Sequence, residues 1–96
     1  MPNYRLSPLA EGDLLNIISS TIESWGNEQA KTYSQSIEAA LIKLAQYPEF
    51  GQQRDELYKN ARSFPIEKHI IFYIISDSGI DVARILHQHM DSSKHF

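Results

Sequence analysis

The spacing of hydrophobic and polar residues changes from strand-like to helix-like and back to strand-like along the chain. The segment "YRLS" (residues 4–7) alternates apolar and polar side chains, which predicts a short first strand. Ser7 followed by Pro8 is typical of a helix start, because the hydroxyl can cap the helix and the proline ring presets a helical φ. A helical period then runs to Trp25, and after a Gly-Asn pair, in which the asparagine can cap the next helix, it resumes until Pro48 ends it. The sequence therefore predicts two helices in an antiparallel hairpin.

The second half of the chain has the pattern of strands. Residues 52–61 are polar and irregular, which predicts a loop or a single helical turn. The stretches "RSFPI", "HIIFYIIS" and "IDVARILH" follow, with "SDSG" as a hairpin turn between the last two. The central stretch is apolar at nearly every position, which predicts a strand covered on both faces. The predicted order is β-α-α-β-β-β, an α+β fold in which the helical hairpin packs on an antiparallel sheet within one domain, residues 1–96.

The first helix has more apolar width than packing on one surface requires. Its apolar side chains span an arc of about 160°, against about 120° in the second helix. An apolar arc wider than one contact needs predicts a second contact, such as one with a partner chain. Apolar side chains that lie at the border of the core explain the width equally well. Trp25, the only tryptophan, is either an anchor of that contact or a cap on the hairpin core. The candidate partner-binding residues are Leu14, Ile17, Ile18 and Trp25.

Composition and charge restrict the classes of function. The absence of cysteine excludes thiol catalysis and thiolate metal sites and is typical of a reducing cytoplasm. The longest apolar run, residues 70–75, is far shorter than the ~20 residues that span a bilayer, and no basic and hydrophobic stretch precedes Tyr4, so export is not expected. We therefore expect a cytoplasmic protein without a membrane contact. The formal net charge of −3 argues against affinity that rests on phosphate contacts, so direct nucleic-acid binding is not expected. A polyanion site, if present, would lie in residues 54–96, which are neutral overall and hold all four histidines.

The string His87-x-His89-x-Asp91 has the spacing of one half of a binuclear zinc site. On a strand these three side chains would share a face, so a mononuclear site is geometrically conceivable. The string lacks a further histidine, because Ser92 stands where that histidine would be, and few residues follow to supply other ligands. We interpret the string as the end of the last strand and predict neither a metal nor a cofactor.

Arg62, Arg84 and His87 are the candidates for an enzymatic site. Cleavage of RNA by its 2′-hydroxyl needs cations near the phosphate and a group that transfers a proton near neutral pH. Residues 84 and 87 point to opposite faces of an unbroken strand, so they converge only if the strand ends or bulges near Leu86. The alternative is that Arg84 is paired with a carboxylate of the helical hairpin.

The sequence resembles the ParE toxins of bacterial toxin–antitoxin modules, within the RelE/ParE superfamily. The resemblance rests on "YRLSPLAEGDLLNI", "WGNEQA", "YPEFG", "ARSFPIEKHIIFY" and "VARILHQHMD", in this order from Tyr4 to Asp91. It implies a small α+β toxin that a ParD-like antitoxin neutralises by wrapping a flexible segment around it. Members nearest to ParE poison DNA gyrase, whereas RelE-branch members cleave mRNA on the ribosome.

The charge of this chain favours the gyrase branch of the superfamily. A toxin that docks on ribosomal RNA should be strongly basic, and the lysine cluster of the RelE pattern is absent here. The main prediction is therefore a gyrase inhibitor without catalytic residues; the alternatives are an mRNA endonuclease using Arg62, Arg84 and His87, and an inactive relative that only binds a partner. By resemblance, the C-terminal tail (residues 88–96) would contact the target. The candidate target-binding residues are Met90, Asp91, Lys94, His95 and Phe96.

Overall fold

The computed structural model describes residues 3–96, which form one five-stranded sheet with a helical hairpin on one face. In chain order the elements are β1 (Asn3–Leu6), α1 (Pro8–Trp25), α2 (Asn27–Gln46), β2 (Gln52–Gln53), β3 (Arg62–Ile66), β4 (His69–Ser76) and β5 (Gly79–His87). Short 3-10 turns at Pro48–Phe50 and Ser92–His95 follow α2 and β5. The predicted α+β fold is confirmed, and the first two residues of the predicted domain lie outside the described range.

The helical hairpin begins where the sequence places its cap. The Ser7 hydroxyl accepts a hydrogen bond from the Ala10 amide at 3.0 Å and donates one to the Ala83 carbonyl at 2.7 Å, so the cap also ties α1 to β5. Gly26 has a φ of 92°, which favours glycine, and α2 begins at the next residue without a side-chain cap. The capping role predicted for Asn27 is therefore wrong. Within residues 3–96 neither helix has the length and hydropathy of a membrane-crossing segment.

The strands of the sheet are arranged in the order β1-β5-β4-β3-β2. The predicted three-strand meander is confirmed by the antiparallel pairs β3–β4 and β4–β5. β1 differs from the expected antiparallel arrangement, because it pairs in parallel with β5, from Asn3 opposite Gly79 to Leu6 opposite Val82. An alternating sequence predicts a strand but not its direction, since both directions bury the same side chains. In the polar stretch predicted to be a loop, β2 adds two residues antiparallel to β3.

The hydrophobic core lies between the hairpin and one face of the sheet. Tyr73 stands at one end of this layer, where its hydroxyl donates to the Pro48 carbonyl at 2.7 Å and accepts from the Gly51 amide at 2.9 Å. This fully buried ring therefore fixes the chain as it leaves α2. The principal buried side chains are Ala10, Ile17, Tyr33, Ile37, Leu41, Leu44, Ile71, Tyr73, Ile80, Val82 and Ile85.

The opposite face of the sheet is covered by the loop between β2 and β3 and by the C-terminal tail, residues 88–96. Phe72 is fully buried on this face, with the Arg54 guanidinium 5.8 Å and the Phe96 ring 5.1 Å from its ring centroid. The Phe96 ring also lies 4.8 Å from that of Tyr58. The prediction that β4 is covered on both faces is confirmed for its centre, residues 71–73, where Phe96 adds to the cover, but not near its end, where Ile75 is 43% exposed.

Candidate functional site

A groove of about 430 Å³ lies between α1, the end of β5 and the C-terminal tail; we call it the α1–β5 groove. β5 is longer than its neighbour β1, whose pairing stops at Val82, so the last five residues of β5 extend past β1 beside α1. Residues that the sequence singled out for different reasons therefore meet in one place. The side chains that define the groove are Asp13, Trp25, His69, Arg84, His87, Met90 and His95.

A bidentate ion pair forms one wall of the groove. The Nε and Nη2 atoms of Arg84 donate to the two carboxylate oxygens of Asp13, both at 2.8 Å, and the Ile85 amide donates to Asp13 at 3.0 Å. Burial alone would raise the pKa of Asp13, but the bonds from Arg84 and Ile85 outweigh burial and lower it. Hydrogen bonding to Asp13 likewise raises the pKa of Arg84. The alternative interpretation of Arg84, that it is paired with a carboxylate of the helical hairpin, is confirmed.

The structure brings together only two of the three candidate catalytic residues. β5 contains a bulge before Arg84, because Phe72 is opposite Arg84 while the next residue, Tyr73, is opposite Val82; the pairing from Arg84 to His87 is regular, so the strand itself does not place these two on one face. Arg84 and His87 line the same groove. Arg62 does not, because its Nη1 atom donates to the carbonyls of Glu49 and Gly51, at 3.1 and 2.9 Å, on the β2 side of the sheet.

Three imidazole rings form a row where β4, β5 and the tail meet; we call it the histidine row (His69, His87, His89). The ring centroids of His69 and His87 are 5.2 Å apart, and those of His87 and His89 are 5.1 Å apart. The His89 amide donates to Nδ1 of His87 at 3.1 Å, so this nitrogen accepts through its lone pair. The Tyr33 hydroxyl lies 2.6 Å from Nδ1 of His69. Burial lowers the pKa of His69, and the adjacent His87 and Lys68 lower it further.

The string His87-x-His89-x-Asp91 ends the last strand, as predicted. β5 stops at His87, and Asp91 lies beyond it as the cap of the following 3-10 turn. One carboxylate oxygen of Asp91 accepts from the Ser93 amide at 3.1 Å and from the Ser93 hydroxyl at 2.7 Å. Among the residues described, no three histidine, aspartate or glutamate side chains are arranged to hold a metal ion.

The candidate target-binding residues lie on an exposed tail that is attached at its end. All five side chains are exposed: Met90, Asp91, Lys94, His95 and Phe96. Met90 and His95 line the α1–β5 groove, whereas Phe96 reaches the opposite face of the sheet, where it retains 39% exposure. The tail therefore passes around the edge of the sheet beside β5.

The wide apolar arc of α1 divides into a buried half and an exposed half. Ile17 is 7% exposed and belongs to the core, and Leu14 packs against the core, so neither offers an open surface. Trp25, by contrast, is 70% exposed, and the Lys68 ammonium lies 5.8 Å from its ring centroid. Sequence reasoning missed Leu15 and Ile22, which are also exposed. We call the outer half the α1 stripe (Leu15, Ile18, Ile22, Trp25), of which Ile18 is half-buried and the other three are exposed; its spacing of three, four and three residues places it on one side of the helix.

Comparisons with known proteins agree with this architecture. A family model described as "ParE toxin of type II toxin-antitoxin system, parDE" matches residues 4–92. Toxin ParE1 of Mycobacterium tuberculosis is 37% identical over 89 residues, which cover 92% of this chain and 91% of that protein. Toxin ParE1 of Caulobacter vibrioides is 33% identical over 95 residues, which cover 99% of this chain and 98% of that protein.

Solved structures show the same fold at lower sequence identity. A chain of the chromosomal ParDE system from P. aeruginosa has a TM-score of 0.76 at 21% identity, covering 91% of this chain and 96% of that chain. A chain of the RelBE2 toxin–antitoxin complex from Mycobacterium tuberculosis has a TM-score of 0.67 at 15% identity, covering 92% of this chain and all of that chain. The family model and the curated relatives decide the family: this chain belongs to the ParE toxins of type II toxin–antitoxin systems.

Proposed function

We propose that the protein arrests growth by binding DNA gyrase in the cytoplasm and that a ParD-like antitoxin neutralises it. Membership of the ParE family supports the choice of target, because the superfamily branch nearest to ParE poisons gyrase. The observation that carries the proposal against RNA cleavage is the pair formed by Arg84 and Asp13. The Arg84 guanidinium, which shares a groove with His87, already donates hydrogen bonds to both carboxylate oxygens of Asp13. A phosphate would have to displace a bidentate, charge-assisted contact to reach it.

The α1 stripe is the proposed docking surface for a helix of the antitoxin. Leu15, Ile22 and Trp25 are exposed at 66%, 42% and 70%, a large amount of apolar surface for one side of one helix. An amphipathic partner helix places apolar residues at the same spacing and can cover the stripe without moving the core. Trp25 also lines the α1–β5 groove, so this surface continues directly into the groove.

The exposed edge of β5 is the proposed site for an extended segment of the same antitoxin. Beyond Val82 this edge has no neighbouring strand among residues 3–96 on the side where β1 ends. Ser7 holds the Ala83 carbonyl and Asp13 holds the Ile85 amide, which protects the first part of the edge. An extended segment that enters the groove could pair with the remaining backbone groups as it follows the end of β5.

The tail is the proposed contact with gyrase, and it gives the first test. Induction without antitoxin should stop incorporation of labelled thymidine within minutes while incorporation of labelled methionine continues. The same chain truncated after His87 should leave both rates near those of uninduced cells. Full growth arrest by the truncated chain would contradict the role of the tail, and early loss of methionine incorporation by the intact chain would contradict gyrase as the target.

A ribosome-dependent mRNA endonuclease is the second candidate, because Arg84 and His87 do share a groove. His87→Gln tests it without removing the partner of Asp13. Under the gyrase proposal this variant still blocks DNA synthesis and leaves cellular mRNA intact. If the wild-type protein cleaves cellular mRNA and His87→Gln does not, the second candidate is established.

A further inference from the structure

The tail is attached to the rest of the molecule at its two ends, and between them His95 lies close enough to Asp13 on α1 for their charges to interact. At its beginning, the Gln88 amide donates to the Lys68 carbonyl at 2.8 Å and the Met90 amide to the His87 carbonyl at 3.0 Å. At its end, the Phe96 ring packs against Phe72 and Tyr58 on the far face of the sheet. The remaining hydrogen bonds described for the tail join tail residues to one another or to His87. Its position therefore depends strongly on how it leaves β5.

The hydrogen bond that turns the tail away from β5 requires one particular protonation state. The His89 amide donates to Nδ1 of His87, and a nitrogen that accepts a hydrogen bond cannot carry a proton. Protonation of His87 places an N–H at Nδ1, opposite the N–H of residue 89. The bond is then replaced by repulsion between two donors, and the first turn of the tail loses its contact with the β5 side chain.

The surroundings of the histidine row also oppose additional positive charge. His69 and His89 stand on either side of His87, so each proton added to the row faces another imidazole at about 5 Å. The ion pairs within residues 3–96 are Arg54–Glu56 and Arg84–Asp13, and neither includes a histidine. The other titratable or charged groups on elements that pack around the row are Asp13, Tyr33, Glu67, Lys68, Arg84, Asp91, Lys94 and His95.

None of the ion pairs or hydrogen bonds described for residues 3–96 joins a carboxylate to a ring of the row. Asp13 is neutralised by the guanidinium of Arg84, and the carboxylate of Asp91 is occupied by the backbone and hydroxyl of Ser93. Lys68 adds a positive charge beside His69. His69, a half-buried member of the row, therefore has a pKa below its ordinary value.

We propose that the histidine row is a proton-operated latch, which holds the tail on the sheet when its imidazoles are neutral and releases residues 90–96 when they are protonated. The latch is a property of the isolated chain. Its consequence for toxicity rests on the proposed function, because the residues it releases are the proposed gyrase contact. Acidification would then change how much of the tail is available to a target or an antitoxin.

The methyl group of Met90 reports on the latch directly. The chain has two methionines, so protein labelled with 13C-methyl methionine and prepared without a histidine tag gives two signals, and a Met90→Leu sample assigns them. As the pH falls from 7.5 to 5.0, the Met90 signal should move to the sharp random-coil position while the far-ultraviolet circular dichroism stays constant. Phe96→Ala at pH 7.5 should keep the docked Met90 position, because the neutral histidine row still holds the beginning of the tail.

His87→Gln is the decisive variant, since a glutamine amide can accept from the His89 amide but cannot become charged. Its Met90 signal should keep the docked position throughout the titration, whereas the control His95→Gln should titrate like wild type. A signal that does not move in wild type, or that moves identically in His87→Gln, would overturn the latch. If His87→Gln does not fold, His89→Gln replaces it, with a shallower pH dependence expected; an unchanged slope would count equally against the proposal. None of these measurements uses gyrase, so the latch and the proposed function fail independently.

Discussion

The ion pair between Asp13 and Arg84 fixes α1 against the second half of β5. Both side chains are largely buried, so Asp13→Asn would leave the guanidinium with a neutral partner in a poorly solvated place. We expect the variant to lose about 2–3 kcal/mol of unfolding free energy at pH 7. Because the pair lowers the pKa of Asp13, the stabilisation is present above the ordinary carboxyl pKa of about 3.9 and is lost as the pH falls below it.

Urea unfolding at pH 7, followed by circular dichroism, measures this loss. Glu56→Gln is the matched control, because Glu56 pairs with Arg54 at 2.7 Å on the open surface, where such pairs contribute little. Its midpoint should hardly change. Equal losses from the two variants would show that burial of the Asp13 pair has no energetic consequence.

His69 gives the molecule a second pH dependence with a definite sign. Burial, His87 and Lys68 lower its pKa in the folded state, so below about pH 6.5 the unfolded chain binds a proton more readily than the folded chain does. Stability should therefore be complete above pH 7 and should fall as the pH drops from 6.5 towards the lowered pKa. His69→Gln should reduce the difference between urea midpoints at pH 7.5 and 5.5. A stability that increases on acidification over this range would contradict the argument.

At the scale of elements, the parallel pairing of β1 with β5 depends on one glycine. Gly79 has a φ of 147°, and a Cβ at this position would clash with the Asn3 carbonyl oxygen. Gly79→Ala should displace β1 and lower the unfolding midpoint strongly, because both the backbone conformation and the strand contact oppose a side chain. Gly12→Ala is the control, since a Cβ there meets nothing within 4 Å inside α1. It should stabilise the protein by roughly 0.5–1 kcal/mol; similar losses from both variants would exclude the strand contact as the cause.

Periodicity predicted the helical hairpin and the meander because burial imposes a direct rule on which positions are apolar. It could not predict the parallel direction of β1 or the bulge before Arg84. Both depend on hydrogen-bond register, and the bulge changes which residues of β5 share a face without changing the sequence pattern. The bulge lies before Arg84, however, and the pairing from Arg84 to His87 is regular, so it leaves these two residues on opposite sides of the strand; they line one groove at the end of β5, where Arg84 reaches Asp13 on α1. The sequence also offered two interpretations of the arginine, and only the position of Asp13 on α1 distinguishes them.

At the scale of the whole molecule, the tail and the surplus width of α1 were predictable as features, but their contacts were not. Residue order shows that aromatic and histidine residues end the chain, yet no local rule places Phe96 on the far face of the sheet. Likewise, an apolar arc of about 160° on α1 does not reveal which half of the arc faces the core. The packing of α1 on α2 and β5 determines which half is buried, because it buries Ile17 and leaves Leu15 exposed. The proposed interaction surfaces follow from assembly of the elements rather than from any one element.

The two halves of the α1 arc make a prediction about the whole molecule and its partner. Leu15→Gln combined with Ile22→Gln changes exposed side chains only, so the unfolding free energy should change by less than about 1 kcal/mol in total. Ile17→Ala removes a core side chain and should lower the unfolding free energy by about 2–4 kcal/mol.

The isolated wild-type protein should bind a hydrophobic dye through the α1 stripe, and the double glutamine variant should bind less. When the toxin and the antitoxin are co-expressed, the double glutamine variant should be purified without the antitoxin. Ile17→Ala should still form the complex at a temperature where this variant is folded. Normal recovery of the antitoxin with the double variant would remove the α1 stripe from the interface, because the fold of that variant is intact.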